Sequence, residues 1–203
     1  MSPRVSERYK NDKIQCILES AKRVFIRKGF DETTMQDIVD ECNISRGGLY
    51  RYFSSTEEIF AALMESDMQE DKNGIEGLME MDWSAYEIIK AFVEAEKNSI
   101  LHIHTTLLPA AYEFFIKSRR NHKELDFLTK RHDIALKALS RLIEYGVQRG
   151  EFSRKVNAEE VSGYIITFVE GLIITAISIG TEEKSIDSHC KLLLEFIDLH
   201  LKA

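Results

Sequence analysis

Thr33-Thr34-Met35-Gln36-Asp37-Ile38-Val39-Asp40-Glu41-Cys42-Asn43-Ile44-Ser45-Arg46-Gly47-Gly48-Leu49-Tyr50-Arg51-Tyr52-Phe53 is the stretch on which the reading of this 203-residue chain turns. Its apolar residues Met35, Ile38, Val39 and Cys42 recur at i, i+3, i+4 and i+7, one face of a short helix. Thr33 or Thr34 can cap that helix, with Gln36 or Asp37 placed to return the bond as a capping box. Asn43-Ile44-Ser45 stops it, and Ser45 can cap a second short helix running to about Phe53. Two short helices around a three-residue turn, with Ile44 expected to be buried inside it, make a helix-turn-helix. Helices of this length can also be mere packing elements. The second one, however, carries Arg46, Tyr50, Arg51 and Tyr52, side chains suited to phosphates and base edges. Within it, Tyr50 is expected to offer its hydroxyl to a phosphate, whereas Tyr52 and Phe53 are expected to pack.

These residues carry a specific likeness. Gly29-Phe30, Thr34, Ile38-Val39, Asn43-Ile44-Ser45-Arg46-Gly47, Leu49-Tyr50-Arg51-Tyr52-Phe53 and Glu57-Glu58-Ile59 resemble the DNA-binding domain of the tetracycline-repressor (TetR) family of bacterial regulators. The match spans roughly residues 11 to 65, and a glycine-then-Gly150-Glu151-Phe152 ending of the seventh helix looks like the family's tail. Two positions depart from the pattern. Gly48 stands where a small hydroxyl residue is usual, which removes a base contact and lets the backbone approach DNA more closely. Thr56 stands where a lysine is usual, so the phosphate contact at the start of helix four lacks its customary cation. The residues carried over as DNA-binding are Thr34, Gln36, Ser45, Arg46, Gly47, Gly48, Tyr50, Arg51 and Tyr52. Arg4 and Lys10, on a basic N-terminal arm with Arg8, join them.

The chain's net charge of −7 looks wrong for a nucleic-acid binder until it is divided along the sequence. Residues 1–60 hold ten basic and ten acidic residues, whereas residues 61–203 hold 17 and 24. Within residues 1–30 there are eight basic and three acidic residues. Phosphate neutralisation needs local cations, so the acidic total does not veto DNA binding. The first eight residues contain no apolar core of a secretory signal, and Cys16, Cys42 and Cys190 are odd in number and far apart. Both features fit a cytoplasmic protein. The apolar run from Tyr164 to Gly180 is short for a bilayer span and contains Glu170, so no membrane is expected.

Beyond the head the periodicities are helical throughout, which predicts an all-α chain of about nine helices. An N-terminal three-helix domain with a helix-turn-helix (residues 1–60) precedes a larger C-terminal helical bundle (residues 61–203). Helix one is expected over about 11–28, and helix four from the Ser55-Thr56-Glu57-Glu58 capping signature toward Met79. Helix seven is expected over about 123–149, with Leu128, His132, Ala135, Leu139 and Leu142 in register. Helix eight, about 158–179, is apolar on nearly every side and therefore needs cover on all of them. Its row Val161, Ile165, Phe168, Leu172 and Ala176 can serve the subunit's own core. Ile166, Ile173 and Ile177, with Leu192, Leu193, Phe196 and Ile197 of helix nine, are then left for a homodimer partner.

Glu96 is the one acid on the apolar stripe of helix five. With Phe92, Tyr112, Phe115, His132 and Phe168 it is the candidate lining of a small-molecule pocket, as apolar walls with a few polar groups usually are. The family resemblance implies such a cavity for an effector, which that lining would make apolar or amphipathic. No His lies three residues after a Glu, and neither a phosphate-binding glycine loop nor a nucleophile elbow occurs. No cofactor, no metal and no catalytic residue is expected. The chain therefore reads as a ligand-responsive repressor that binds a double-stranded DNA operator as a homodimer. The competing reading is an all-helical small-molecule-binding or enzymatic bundle whose N-terminal helices only pack.

Overall fold

Helix α1 (Glu7–Lys28) begins the computed structural model, which describes residues 7–119 and 122–202. The helix starts one turn earlier than its apolar stripe suggested. Nothing between Glu7 and Asn11 breaks a helix. Arg8 and Lys10 are therefore exposed positions on its first turns and not part of a separate arm. Arg4 lies outside the described residues. The helix ends where Gly29 takes a left-handed φ of 79° and its amide bonds the Phe25 carbonyl at 2.9 Å.

Helices α2 (Met35–Cys42), α3 (Arg46–Tyr50), α4 (Thr56–Glu80) and, after α5 (Ala85–Leu101) and a 3₁₀ turn (Ile103–Thr105), α6 (Leu108–Ser118) follow. Helix α3 is shorter than expected. It stops at Tyr50, and the amides of Tyr52 and Phe53 close its last turn on the Leu49 carbonyl. Two compact units result, the first being Met1–Asp67 with His104–Asn121. This division differs from a break at residue 60, because α6 counts with the head. The head's core is Ile17, Leu18, Ala21, Val24 and Phe25 of α1, Ile38 and Val39 of α2, Leu49 of α3 and Ile59, Phe60 and Leu63 of α4. At its centre Phe30 packs between Phe60 at 5.1 Å and Phe114 of α6 at 5.0 Å, both edge-on. Ile44 is half-buried and not enclosed.

The second unit is Met68–Ile103 with His122–Ala203, and contains α7 (His122–Gln148), α8 (Ala158–Ile179) and α9 (Glu183–Leu201). Ser84 caps α5 with a complete capping box to Glu87, and Asn157 caps α8 on the amides of Glu159 and Glu160. The core is built from Ala85, Ile88, Ile89, Val93 and Ile100 of α5, Leu139, Leu142 and Ile143 of α7, and Ile165, Val169 and Ala176 of α8. Ile173 of α8 and Leu193 and Ile197 of α9, expected at a dimer interface, lie in this same core, Ile197 being 0 % exposed. The buried rows of α8 and α9 therefore run through these three residues. Ser162, Ile165, Val169, Ile173 and Ala176 share one side of α8, at the spacing that places residues on one helix face. Phe168 and Leu172 lie off that side, half-buried, and His132 and Ala135 of α7 are exposed.

Apolar residues also remain uncovered on the other sides of α8 and α9. Tyr164, Thr167, Gly171 and Ile174 are exposed at helical spacing along α8, and Ile179 at its end is 83 % exposed. Leu192 and Leu199 are exposed on α9, the latter 79 %. Helix α8 is long and apolar enough by composition to cross a membrane, and 33% of its most apolar window is buried within the chain.

Gly146 is where α7 meets α5. A Cβ there would lie 2.8 Å from that of Ala85 and would run into the ring of buried Phe152. Gly146→Ala should therefore destabilise the protein by about 1–3 kcal/mol through overpacking. A thermal melt should show the midpoint falling by roughly 2–4 °C for each kcal/mol lost. An unchanged midpoint would contradict this helix spacing.

Candidate nucleic-acid interface

The interface is built from its caps. The Thr34 hydroxyl accepts the Asp37 amide at 3.2 Å, and the Asp37 carboxylate takes the Thr34 amide at 2.9 Å and hydroxyl at 2.7 Å. Of the candidate capping pairs it is Thr34 with Asp37 that forms the box. Thr33 is buried, and its hydroxyl donates back to the Gly29 carbonyl at 2.5 Å. The Lys28 ammonium bonds Asp37 at 2.9 Å, and this contact, followed by those of Thr34, lowers the Asp37 pKa from its ordinary 3.8 to about 2.

Asn43 ends α2 in the left-handed conformation, φ 51°, which asparagine tolerates better than other side-chain-bearing residues. The Ser45 hydroxyl then accepts the Gly48 amide at 3.1 Å and opens α3. A Cβ at Gly48 would lie 3.2 Å from that hydroxyl, so the absence of a side chain suits the cap as well as a close approach to DNA. Leu49, fully buried, is the anchor of α3.

Around that anchor Thr34, Gln36, Ser45, Arg46, Gly47, Tyr50 and Arg51 are exposed, and Gly48 and Tyr52 are half-buried. The Arg46 guanidinium lies 5.4 Å from the centre of the Tyr50 ring, an i,i+4 pair along one side of α3. Gln36 uses one amide bond on Asp40, at 2.7 Å.

The basic excess of residues 1–30 is only partly available to phosphates. Arg23 and Arg27 both pair with Glu41, at 2.9 and 3.2 Å, and Lys28 and Lys22 pair with Asp37 and Asp67. These bonds hold α1 against α2 and α4. Arg46 and Arg51 are in no ion pair among the described residues. Sequence reasoning had no signal for the pairing of the α1 cations, because their partners lie 9 to 45 residues away.

The six candidate pocket residues do not gather in one described cavity. Phe92 and Glu96 are half-buried on α5. Tyr112 and Phe115 belong to α6 in the first unit, their rings 5.7 Å apart. Phe168 turns toward α9, its ring 6.4 Å from that of His189 and 6.2 Å from Tyr164. It misses the core side because it is one residue out of register with Ile165 and Val169. His132 lines an open hollow of about 450 Å³ with Leu136, Asn157, Glu159, Glu160, Gly163 and Thr167. That hollow is polar and acidic, unlike the apolar wall expected of His132. Among the described residues no group of three or more His, Cys, Asp or Glu is placed to hold a metal.

Comparison with known proteins matches both halves. Residues 17–63 fit the family described as bacterial regulatory proteins, tetR family, and residues 88–187 fit the tetracyclin repressor-like C-terminal domain. The helix-turn-helix-type transcriptional regulator YfiR of Bacillus subtilis (strain 168), itself uncharacterised, is 33% identical over 207 residues, covering 100% of this chain and 96% of YfiR. A transcriptional regulator of Saccharomonospora viridis solved with choline superposes with a TM-score of 0.75 at 20% identity, over 95% of this chain and 99% of the other. FadR of B. subtilis, solved with stearoyl-CoA, gives 0.71 at 17% identity over 89% and 97%.

The Asp37 bonds make an acid-stability prediction. A carboxyl whose pKa is lowered by folding binds its proton more readily in the unfolded chain, so it stabilises the fold above its unfolded value of about 4 and loses that contribution as pH falls through about 2. Asp37→Asn should be less stable than wild type at pH 7, and the two should converge as pH approaches 2. Helix signal followed through an acid titration checks it. A difference that persists unchanged at pH 2 would contradict it.

Proposed function

Because the chain belongs to the TetR family of bacterial transcriptional regulators, we propose that it is a homodimeric cytoplasmic repressor released from a palindromic operator by an apolar or amphipathic small molecule. It acts by binding and not by turnover. The observation that carries the reading is the exposed row Arg46, Tyr50 and Arg51 on a helix whose other side is pinned by Leu49. The guanidinium of Arg46, stacked on Tyr50 and paired with no acid among the described residues, is free for a base edge or a phosphate. Ser45 and Gly47 at the start of α3 bring backbone amides to the same surface, and Gly48, its own amide held by Ser45, lets that backbone come close to DNA. Thr34 and Gln36 offer further polar contacts from the start of α2, with Lys10 and Arg4 toward the N-terminus.

A two-fold dimer would present two such helices to successive major grooves, ~34–36 Å or a multiple apart, which demands inverted half-sites. The uncovered apolar sides of α8 and α9 support a partner there. Of the interface residues expected from sequence, Ile166, Ile177 and Phe196 are half-buried and remain candidates. Leu192, also expected, is exposed and stays a candidate, and Tyr164, Ile174 and Leu199 join them. Effector control rests on the family and on the ligands bound in solved structures of the same fold, choline in one and stearoyl-CoA in another. Phe92 and Glu96 of α5 stay the proposed polar-apolar pair of the effector site. Effector binding would act through α4, which contributes residues to both units, and favour a head geometry that no longer fits the operator.

Arg46→Ala and Arg51→Ala should weaken binding to the DNA upstream of the protein's own gene with melting temperature unchanged. A lost bidentate guanine contact costs about 1–3 kcal/mol of discrimination, whereas a lost phosphate contact weakens all sequences alike and flattens the salt dependence. Gel shifts in which both variants match wild type would refute this choice of recognition helix.

The dimer has its own test. Ile174→Glu and Leu199→Glu put a carboxylate on the uncovered face without disturbing the subunit core, and should yield folded monomers that no longer hold the operator. Obligate apolar interfaces typically bury more than about 2,000 Å² in total, so wild type should sediment as a dimer at micromolar concentration. A wild-type monomer under those conditions would remove both the dimer and the palindrome.

A further inference from the structure

Helix α6 is remote in sequence from the helix-turn-helix, yet it holds the chain on both sides of it. The Glu113 carboxylate accepts the amides of Phe30 at 2.6 Å and Asp31 at 3.1 Å, both on one oxygen. It lies directly over Gly29, where a Cβ would come within 2.8 Å of that oxygen. One turn on, Lys117 reaches Asp31 at 3.6 Å, Glu57 of α4 at 3.5 Å, and the face of the Phe30 ring at 4.9 Å from its centre. Between them Phe114, 1 % exposed, meets Phe30 and Phe60 at 5.0 and 4.9 Å.

The contacts fall at two places, the turn at 29–31 and the first turns of α4 at 57–60. Helices α2 and α3 are the chain between those places. We infer that Glu113 and Lys117 are positioning residues for operator binding: they clamp both ends of the helix-turn-helix, and α6 is a working part of the reading head. The inference rests on the reading of α3 as the recognition helix. Two amides sharing one charged acceptor make bonds stronger than neutral ones, and removing it leaves the part-buried Phe30 amide without its acceptor beside a left-handed glycine. A head that spends less time in its binding geometry loses apparent affinity in proportion. The chain enters and leaves α6 at the boundaries 103/104 and 121/122 between the two units.

The test uses the full-length protein with Glu113→Ala, Glu113→Gln and Lys117→Gln, and an Arg46→Ala control. Amide hydrogen exchange at Phe30 and Asp31 is read in the free protein, and binding to a duplex from upstream of the protein's own gene is read at several salt concentrations. Glu113→Ala should lose protection at both amides and bind about five- to ten-fold more weakly, with the wild-type salt slope. Glu113→Gln keeps a carbonyl acceptor and should recover part of both. Lys117→Gln, at a half-exposed position that tolerates change, should weaken binding less, again without altering the slope. Lost protection with wild-type affinity overturns the inference. So does a reduced salt slope in Lys117→Gln, which would make that lysine a phosphate contact. If Arg46→Ala also binds like wild type, the operator reading falls, and the exchange data alone then decide whether the clamp exists.

Discussion

A helix of five residues cannot hold itself, because nucleation costs more than a single turn of hydrogen bonds returns. Everything in the head answers that constraint. Ser45 closes the first turn of α3, Leu49 buries its inner side, and the amides of Tyr52 and Phe53 fold back on the Leu49 carbonyl. Helix α2, eight residues long, is little better placed by itself. It takes the Thr34–Asp37 box at one end and the left-handed Asn43 at the other. The recognition surface is thus a consequence of burial elsewhere. Of its exposed residues Thr34 and Ser45 serve as caps, whereas Arg46 and Arg51 make no ion pair among the described residues and are left to meet DNA.

Charge follows the same division. Lys22, Arg23, Arg27 and Lys28 pair within the head and hold α1 to its neighbours. Pairs this exposed contribute little each in isolation, and Arg23 and Arg27 converging on Glu41 make a small network of them. Arg46 and Arg51, in no ion pair among the described residues, lie on α3 and directly after it. A count of basic residues along the sequence marks the head as electropositive relative to the tail, but it overstates what a phosphate can reach.

The tail shows a different imbalance. The subunit's own core uses one apolar side of α8 and of α9, and Tyr164, Ile174 and Ile179 of α8 with Leu192 and Leu199 of α9 stay exposed. Large contiguous apolar surface on a folded chain marks an interaction site, and an interface between copies is the proposal that accounts for it here. Helix α6 belongs with the head in packing although it lies inside the tail in sequence. That placement makes the 67/68 boundary within α4 only one of three chain passages between the units.

Sequence by itself determined the all-α class, the helix-turn-helix, its caps and the family. These depend on local rules, namely 3.6-residue periodicity, capping side chains and short spacings, all of which are written within a few residues of one another. Boundaries at Lys28, Cys42 and Glu80 followed from the same signals. Tertiary structure decided which apolar side of α8 and α9 is inside, burying Ile173, Leu193 and Ile197 and leaving Ile174 and Leu199 out. Two equally apolar sides of one helix carry no local mark of which will meet the core. Tertiary structure also brought Glu113, Phe114 and Lys117 to the head, across more than 80 residues of chain to the Phe30 and Asp31 amides. A side chain's register on its own helix is local, but the neighbour it meets is chosen by packing.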